Sequence, residues 1–414
     1  MKKVVVISWV FPPTPGIGGR RWVKFAKWMH RKGADVQVLA VQNFTDRKST
    51  WMADLSDIQD RVKYSHSPFS TTIGTFATTF YQKVRRRLVL GWLQMRVKGN
   101  HYDRAALWGN VLRPDIDRLA AEGYDNFIIT AGPFHATYYV AEYLKAKHPN
   151  VKVTLDFRDP WTTNKTSFGI DLLSAKRVEA EKELEKRAVQ AADTVVTVSP
   201  FMLEDFAKTV NDSVDDSKYQ SIANGFDFDD VAAFTDSESV QNMRMIFTGS
   251  LYDKSDHGFG LFKDFMTSFS TENDSLNNLK ADFYGNVPDK FKHALQQSNV
   301  RYNKSIPLNE VYAELANSQA CMLFLTDDIN YSISTKFCEY LALGKPVVVF
   351  SKGGATAELV ESHGLGISVS SPDDFPKLAK FMTDTWQKPA GTADFDLKAY
   401  SVEQLAVRYL ELLQ

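Results

Sequence analysis

Cysteine is scarce: the 414-residue sequence has two, Cys321 and Cys338. Both lie in apolar stretches, ACMLFL and KFCEYLAL. That excludes a disulfide framework and a cysteine-built zinc site, and points to a reducing compartment. Long apolar runs are missing too. No segment approaches the roughly 18 apolar residues of a membrane span. The N-terminus, MKKVVVISWVFPPTPGIGG, places two lysines before an apolar run, as a secretory leader would. The run is short, however, and breaks at Pro12, Pro13 and Pro15, so it reads as a first buried strand. The expected location is the cytoplasm, or the inner face of a membrane as a peripheral protein. An excess of charge of either sign is also absent. Lys and Arg number 49 against 50 Asp and Glu, a formal net charge of −1. Nothing global draws the chain to nucleic acid, which is not an expected partner. The first glycine loop matches neither G-x-G-x-x-G nor a P-loop, which disfavours a dinucleotide site and an ordinary nucleoside triphosphatase.

What is present is an ordinary globular composition, 44% hydrophobic and 24% charged, with 13% aromatics. The length calls for two or three domains. Short apolar runs alternate with helical patterns. Strands are expected at 3–8, 35–41, 126–130, 151–156 and 194–199, with helices at 20–31, 136–147, 176–192 and 200–209. The pattern restarts with strands at 243–248, 280–284, 320–325 and 346–350. Such alternation predicts parallel sheets with helices on both faces. The expected division is a Rossmann-like first domain over 1–226, a polar linker over 227–241 and a second Rossmann-like domain over 242–396. A C-terminal helix over 399–414 packs back on the first. Residues 44–112 lack strand signals and read as a helical excursion. Within it, 80–99 (FYQKVRRRLVLGWLQMRVKG) mixes Arg85, Arg86, Arg87 and Arg96 with Leu88, Trp92 and Met95. Such a segment can lie on an anionic membrane surface or pack on its own domain with its arginines solvated.

Two loops could hold phosphate. The first, Pro12 to Arg21, runs from the first strand into a helix. Gly18 and Gly19 let backbone approach a ligand, and the helix N-terminus offers free N–H groups, with Arg20 beside them. A plain tight turn would look the same. The second, Tyr331 to Val348, reads as loop, capped helix, glycine stop and strand. Ser334 or Thr335 can cap the helix. Lys336 sits in its first turn, where a cation is unfavourable unless an anion is bound. Glu339, one turn on, can accept hydrogen bonds from ribose hydroxyls. A simple Lys336–Glu339 surface pair is the competing reading.

The second loop resembles the S-x-K-x-x-E-Y-L-A-x-G-K-P-V segment of bacterial family 4 glycosyltransferases. Further stretches resemble that family in the same order: the first Pro/Gly loop, 188–199 (AVQAADTVVTVS), 223–227 (ANGFD) and 247–252 (FTGSLY). The resemblance implies a GT-B fold, two Rossmann-like doubly wound α/β domains facing across a cleft. It implies a retaining, metal-independent hexosyltransferase that takes a nucleotide diphosphate sugar as co-substrate and no other cofactor. By the same analogy Glu339 holds the ribose, Ser334, Thr335 and Lys336 the diphosphate, and backbone at Ser305–Ile306 the base. Gly18 and Gly19 approach from the first domain. Two positions depart from the family. Tyr331 and Ser332 stand where many members carry an acidic sugar contact. Ser250, after Gly249, stands where many carry Arg, leaving Lys254, Lys336 and Arg20 for the diphosphate.

Residues 155–161 (LDFRDPW) look like the D-x-R-D-P-W of bacterial polysaccharide transferases and would sit at a strand's C-terminal end, where open α/β sheets place ligands. Asp156, Arg158 and Asp159 are therefore candidates for orienting the acceptor or the migrating sugar, the alternative being a structural Arg–Asp clamp. His135, after another strand, is either a catalytic group or a hydrogen-bonded core histidine. Asp227-Phe228-Asp229 matches D-x-D but falls in the expected linker, so no metal site is expected. A saccharide or lipid-linked acceptor in cell-surface polysaccharide synthesis fits this set. A nucleotide-sugar 2-epimerase and a non-catalytic, carbohydrate-binding partner subunit are the alternatives.

Overall fold

The computed structural model describes the chain except for residues 44, 47, 48, 164–168, 211–216, 235–242, 270–272, 296–298, 332, 388–394 and 414. Ser332 and residues 235–241 of the expected linker lie outside the described residues. The chain forms two compact units, Met1–Ala223 with Val402–Gln414, and Asn224–Ser401. The second unit thus starts at Asn224 rather than at 242. Asn224 donates to the Ile333 carbonyl at 3.1 Å, Phe226 N–H donates to the Tyr400 carbonyl at 3.0 Å, and the Phe226 side chain is buried in the second unit's core.

Among its described residues the first unit holds seven strands, β1 (Lys3–Ser8), β2 (Asp35–Val41), β3 (Val62–Ser65), β4 (Asn126–Ala131), β5 (Lys152–Phe157), β6 (Thr194–Thr197) and β7 (Tyr219–Ser221). All neighbours are parallel, in the order β3-β2-β1-β4-β5-β6-β7. The central strands β1 and β5 are buried along nearly their whole length, as β-branched runs covered on both faces must be. The order reverses between β1 and β4, so the crevice beyond their C-terminal ends is the natural ligand position. Among the described residues, six helices of eight or more residues connect the strands: α1 (Gly18–Arg31), α2 (Phe80–Arg96), α3 (Trp108–Ala121), α4 (Phe134–Lys147), α5 (Ala175–Ala191) and α6 (Pro200–Val210). The segment expected to lack strands contributes β3, a short, half-exposed edge strand whose apolar signal is weak.

Helix α1 buries cations. Lys24 and Lys27 both reach Asp54, at 2.9 and 2.7 Å, and Arg20 lies over the Trp51 ring. Arg21 is held still more fully. Its Nε and Nη2 donate to the two oxygens of Asp156 at 3.0 and 2.9 Å, and the guanidinium also donates to the carbonyls of Ile222 and Ala223. Trp22 Nε1 donates to Asp156 at 3.0 Å, and the Tyr409 hydroxyl donates to it as well. Tyr409 belongs to the C-terminal helix Val402–Leu412, whose ring packs edge-on against Trp22 and Phe25. That helix is therefore part of the first unit.

The second unit repeats the pattern with β8 (Arg244–Ser250), α7 (Asp256–Asp264), β9 (Lys280–Asn286), β10 (Val300–Asn303), α8 (Leu308–Ala316), β11 (Ala320–Phe324), α9 (Thr335–Ala342), β12 (Val347–Phe350), α10 (Ala355–Ser362), β13 (Gly366–Val369) and α11 (Phe375–Gln387). Its sheet is parallel, in the order β10-β9-β8-β11-β12-β13, and reverses between β8 and β11. A phenylalanine cluster, with Phe247, Phe259, Phe262, Phe283 and Phe324, fills one side. Cys321 and Cys338 are buried on the other, with no disulfide between them. Among the described residues, no helix is long and apolar enough to cross a membrane.

Removing one partner of a buried pair leaves an uncompensated charge. Asp156→Ala is expected to destabilise the first unit by about 3–5 kcal/mol, read as a lower urea midpoint. Tyr409→Phe, which removes one hydrogen bond, should cost about 1 kcal/mol.

Candidate functional site

In the second unit the strand β8 ends on Phe247-Thr248-Gly249-Ser250. Gly249 has φ +103° and no side chain, and a Cβ there would fall 2.6 Å from Lys336 Cε and Nζ. The lysine thus occupies the space that any other residue at 249 would fill. Its ammonium also lies 4.9 Å over the Phe247 ring. Gly285, at the end of β9, makes the same kind of room one strand over. A Cβ there would come within 2.2 Å of the Gly249 carbonyl. Burial lowers the pKa of Lys336 to about 8, with Glu339 opposing the shift. A cation held in the first turn of α9, where the dipole also disfavours it, is poised for an anion.

The helix carrying Lys336 is well fixed. Ser334 caps it by accepting from Phe337 N–H at 3.2 Å. Asn224 holds the preceding Ile333 carbonyl. Tyr340, buried, shares a hydrogen bond of 3.0 Å with Thr248 and so ties α9 to β8. Glu339 is buried and accepts from the Tyr312 hydroxyl at 3.0 Å, which orients the carboxylate. Thr335, the first helical residue, is partly exposed beside Ser334. The Lys336–Glu339 surface pair considered from sequence is not what forms, because both residues sit largely inside the fold.

Other expected donor contacts are placed less centrally. Ser250 lines an open cavity of about 670 Å³ with Tyr252, Asn286 and Lys290. Lys254 is exposed in the turn before α7, and Ile306 is half-buried in the loop after β10. Asp227 caps a short helix, accepting from Asp229 N–H at 3.2 Å, which accounts for the D-x-D match locally.

In the first unit a cavity of about 310 Å³ opens at the β1–β4 reversal, lined by Ser8, Gly16, Gly18, Thr130, Arg158 and Asp159 among others. Arg158 pairs with its neighbour Asp159, Nε to Oδ2 at 2.9 Å, and both are partly exposed to this cavity. Gly18 opens α1, and a Cβ there would lie 3.5 Å from Arg158 Nη1. Gly19 serves packing instead: a Cβ would meet the Val10 carbonyl at 3.3 Å. Asp156 reaches the cavity wall, but its oxygens are occupied by Arg21, Trp22 and Tyr409. It is a structural anchor, not a group turned to a substrate. Arg20 is likewise corrected. It is buried against Trp51 rather than presented to a phosphate.

His135 is also a core residue. It is buried with Nε2 3.6 Å from Glu181, whose other oxygen accepts from Trp161 Nε1. Burial pulls its pKa down, but Glu181 and Asp103 outweigh this and hold it above the ordinary imidazole value. Asp103 in turn accepts from the backbone N–H groups of Ala105, Phe134 and His135. Phe247, Gly285, Tyr312 and Asn224 support the site but were not legible as such. Phe247 and Asn224 stand inside the quoted motifs. Tyr312 and Gly285 carry no signal until the chain folds.

Residues 264–389 match the model of the family described as glucosyltransferase 3-like, C-terminal domain. The stretch contains Lys336 and Glu339. No curated protein matches the chain in sequence. Solved structures of similar fold include sucrose-phosphate synthase from Thermosynechococcus elongatus, 12% identical over 100% of this chain and 98% of that one, with a TM-score of 0.62. The catalytic domain of starch synthase IV from Arabidopsis thaliana, bound to ADP and acarbose, is 13% identical over 100% and 98%, with a TM-score of 0.59. A putative UDP-N-acetylglucosamine 2-epimerase from Listeria monocytogenes is 11% identical over 99% and 95%, with a TM-score of 0.53. The two parallel sheets and these similarities define a GT-B fold.

Gly249→Ala tests the packing of Lys336. Strain at positive φ should lower stability by about 1–3 kcal/mol. Lys336, displaced toward water, should titrate closer to the ordinary lysine value of about 10.4, as read by NMR of methylated lysines.

Proposed function

We propose that the protein is a glycosyltransferase that moves a hexosyl unit from a nucleotide diphosphate sugar to a saccharide or lipid-linked acceptor. The observation that carries the reading is Lys336, held at the α9 N-terminus against Gly249 and over Phe247, with the buried carboxylate of Glu339 one turn further on. A nucleoside diphosphate satisfies both. Its phosphates take the ammonium and the free N–H groups of the helix, and its ribose hydroxyls donate to Glu339. The match of 264–389 to a glucosyltransferase-like family supports a hexose donor.

In this mechanism the leaving diphosphate develops negative charge as the glycosidic bond to phosphate breaks. Lys336, Ser334 and the helix amides are already oriented toward that charge, so little reorganisation is needed. No metal is required in this scheme, and the sugar is transferred with retention. The acceptor lies in the first unit's cavity, where Arg158 and Asp159 orient its hydroxyls. The basic helix α2 brings the enzyme to an anionic membrane surface on the cytoplasmic side, in the synthesis of a cell-surface polysaccharide. The 2-epimerase alternative draws on the fold it shares with the Listeria protein. Incubation with the donor sugar alone separates the two, since an epimerase then forms an epimer and a transferase does not.

A panel of UDP, ADP and GDP should raise the melting temperature for the cognate base, a stabilisation of about 2.7 kcal/mol at a hundredfold excess over Kd. Glu339→Ala should abolish that rise. The absence of any rise with wild-type protein would remove the reading.

The depressed Lys336 pKa sets a pH dependence. Free Lys336 is protonated below about 8, and a bound diphosphate favours the protonated form. Affinity is therefore fully present below that pH and falls as pH rises through it, by up to about tenfold per unit. Lys336→Gln should bind more weakly and lose the slope, as measured by calorimetry across pH.

A further inference from the structure

A second cavity of the first unit, about 410 Å³, is lined by Trp9, Val10, Arg86, Tyr102, Arg104 and Leu172, among others. It shares Trp9, Val10 and Arg104 with the cavity that holds Arg158 and Asp159. The two adjoin there, between the β1–β4 crevice and helix α2. Asp103 stands in the wall of the second cavity, but its carboxylate is spent on three backbone N–H groups. Arg86 and Arg104 have no acidic partner among the described residues. Two guanidinium groups without a carboxylate, facing one cavity, suit a phosphate.

Helix α2 adds an apolar element beside them. Phe80, Val84, Leu88 and Met95 recur at four- and seven-residue spacing, on one face. That face is turned to solvent: Phe80 is 83%, Leu88 71% and Met95 79% exposed. The opposite face is the packed one, with Leu93 fully buried among Val97, Ala106 and Ile73. The helix is not loosely made. A capping box joins Thr79 and Gln82 at its start, and Arg177 donates to the carbonyls of Val97 and Gly99 just past its end. Its charge is one-sided as well. Residues 61–102 contain eight Lys and Arg and no Asp or Glu. An ordered helix that exposes its apolar stripe between arginines fits an anionic bilayer.

We infer that the Arg86–Arg104 cavity is a subsite for the phosphate of a lipid-borne acceptor. The apolar stripe of α2 enters the bilayer, the phosphate rests between the two arginines, and the sugar attached to it extends into the crevice of Arg158 and Asp159. Leu172, 65% exposed at the cavity's edge, meets the first carbons of the chain. This assignment deepens the acceptor side of the transferase reading and rests on it for the chemistry, though not for the binding.

The test is calorimetric titration of the full chain with geranyl diphosphate, inorganic diphosphate and geraniol. Geranyl diphosphate should bind at least about tenfold more tightly than either fragment, and Arg86→Ala with Arg104→Ala should weaken it by about tenfold or more. Leu88→Glu and Met95→Glu, both at exposed positions, should leave that affinity unchanged. They should abolish cosedimentation with vesicles of phosphatidylcholine and phosphatidylglycerol, while wild-type protein pellets with these and not with phosphatidylcholine alone. Equal binding of geranyl and inorganic diphosphate overturns the lipid-borne acceptor, and an unaffected double arginine variant overturns the phosphate subsite. Cosedimentation that ignores lipid charge or survives Leu88→Glu overturns the bilayer contact. UDP, ADP and GDP melting shifts on the same preparations report the donor site separately, so the failure of one site does not imitate failure of the other.

Discussion

The first unit depends on the bidentate contact between Arg21 and Asp156. Both groups are buried, and neither could remain there alone. The guanidinium fork joins α1 to the end of β5 and donates to the carbonyls of Ile222 and Ala223, where the chain finishes its first passage through the unit. Asp156 also receives Trp22 and Tyr409, so the helix made after the chain's return is tied to the same carboxylate. The position of α1, and so of Gly18 and the crevice at its start, follows from this one pair. Asp156 forms part of the cavity wall next to Arg158, with its oxygens already occupied.

The second unit rests on a different device, the absence of side chains. Gly249 and Gly285 let two neighbouring strand ends and Lys336 share a space that Cβ atoms would fill. The consequence is electrostatic. A lysine packed on Phe247 is partly stripped of water and sits at the wrong end of a helix for its charge. The surrounding capping by Ser334, the Asn224 contact and the Tyr340–Thr248 bond hold that unfavourable arrangement in place. Such tension is maintained by neighbours, and the anion of the proposed donor would relieve it.

The interior of both sheets was legible from sequence, and the edges were not. The order of strands places β3, β7, β10 and β13 at the four edges. These are the strands that the apolar pattern fails to mark. An interior strand is covered on both faces and reads as a continuous β-branched run. An edge strand is short and mixed, as in VKYS or VRYN, because an edge must discourage pairing with other chains. The site shows a similar divide. The Ser334 cap, and Lys336 and Glu339 one turn apart on the same helix, were legible because capping and helical spacing act locally. Arg20, Asp156 and His135 were misread because a charged residue beside a glycine loop or a strand end suggests a ligand, and only the fold reveals a buried partner. For Arg20 a sign was present: with Lys24 and Lys27 it makes a stripe on one face of α1, and that face packs on Trp51 and Asp54.

The return of the chain to the first unit has a consequence for biogenesis. Trp22 and Phe25 are covered by Tyr409, and Lys32 is paired with Glu403, in a segment synthesised after the second unit. All of the second unit, from Asn224 to Ser401, emerges from the ribosome before that segment does. The half made first therefore stays unfinished, with aromatic surface uncovered, through the synthesis of the half made second. Translation order and completion order are reversed in this molecule, and a nascent chain stalled before Val402 presents an open hydrophobic seam to whatever attends it.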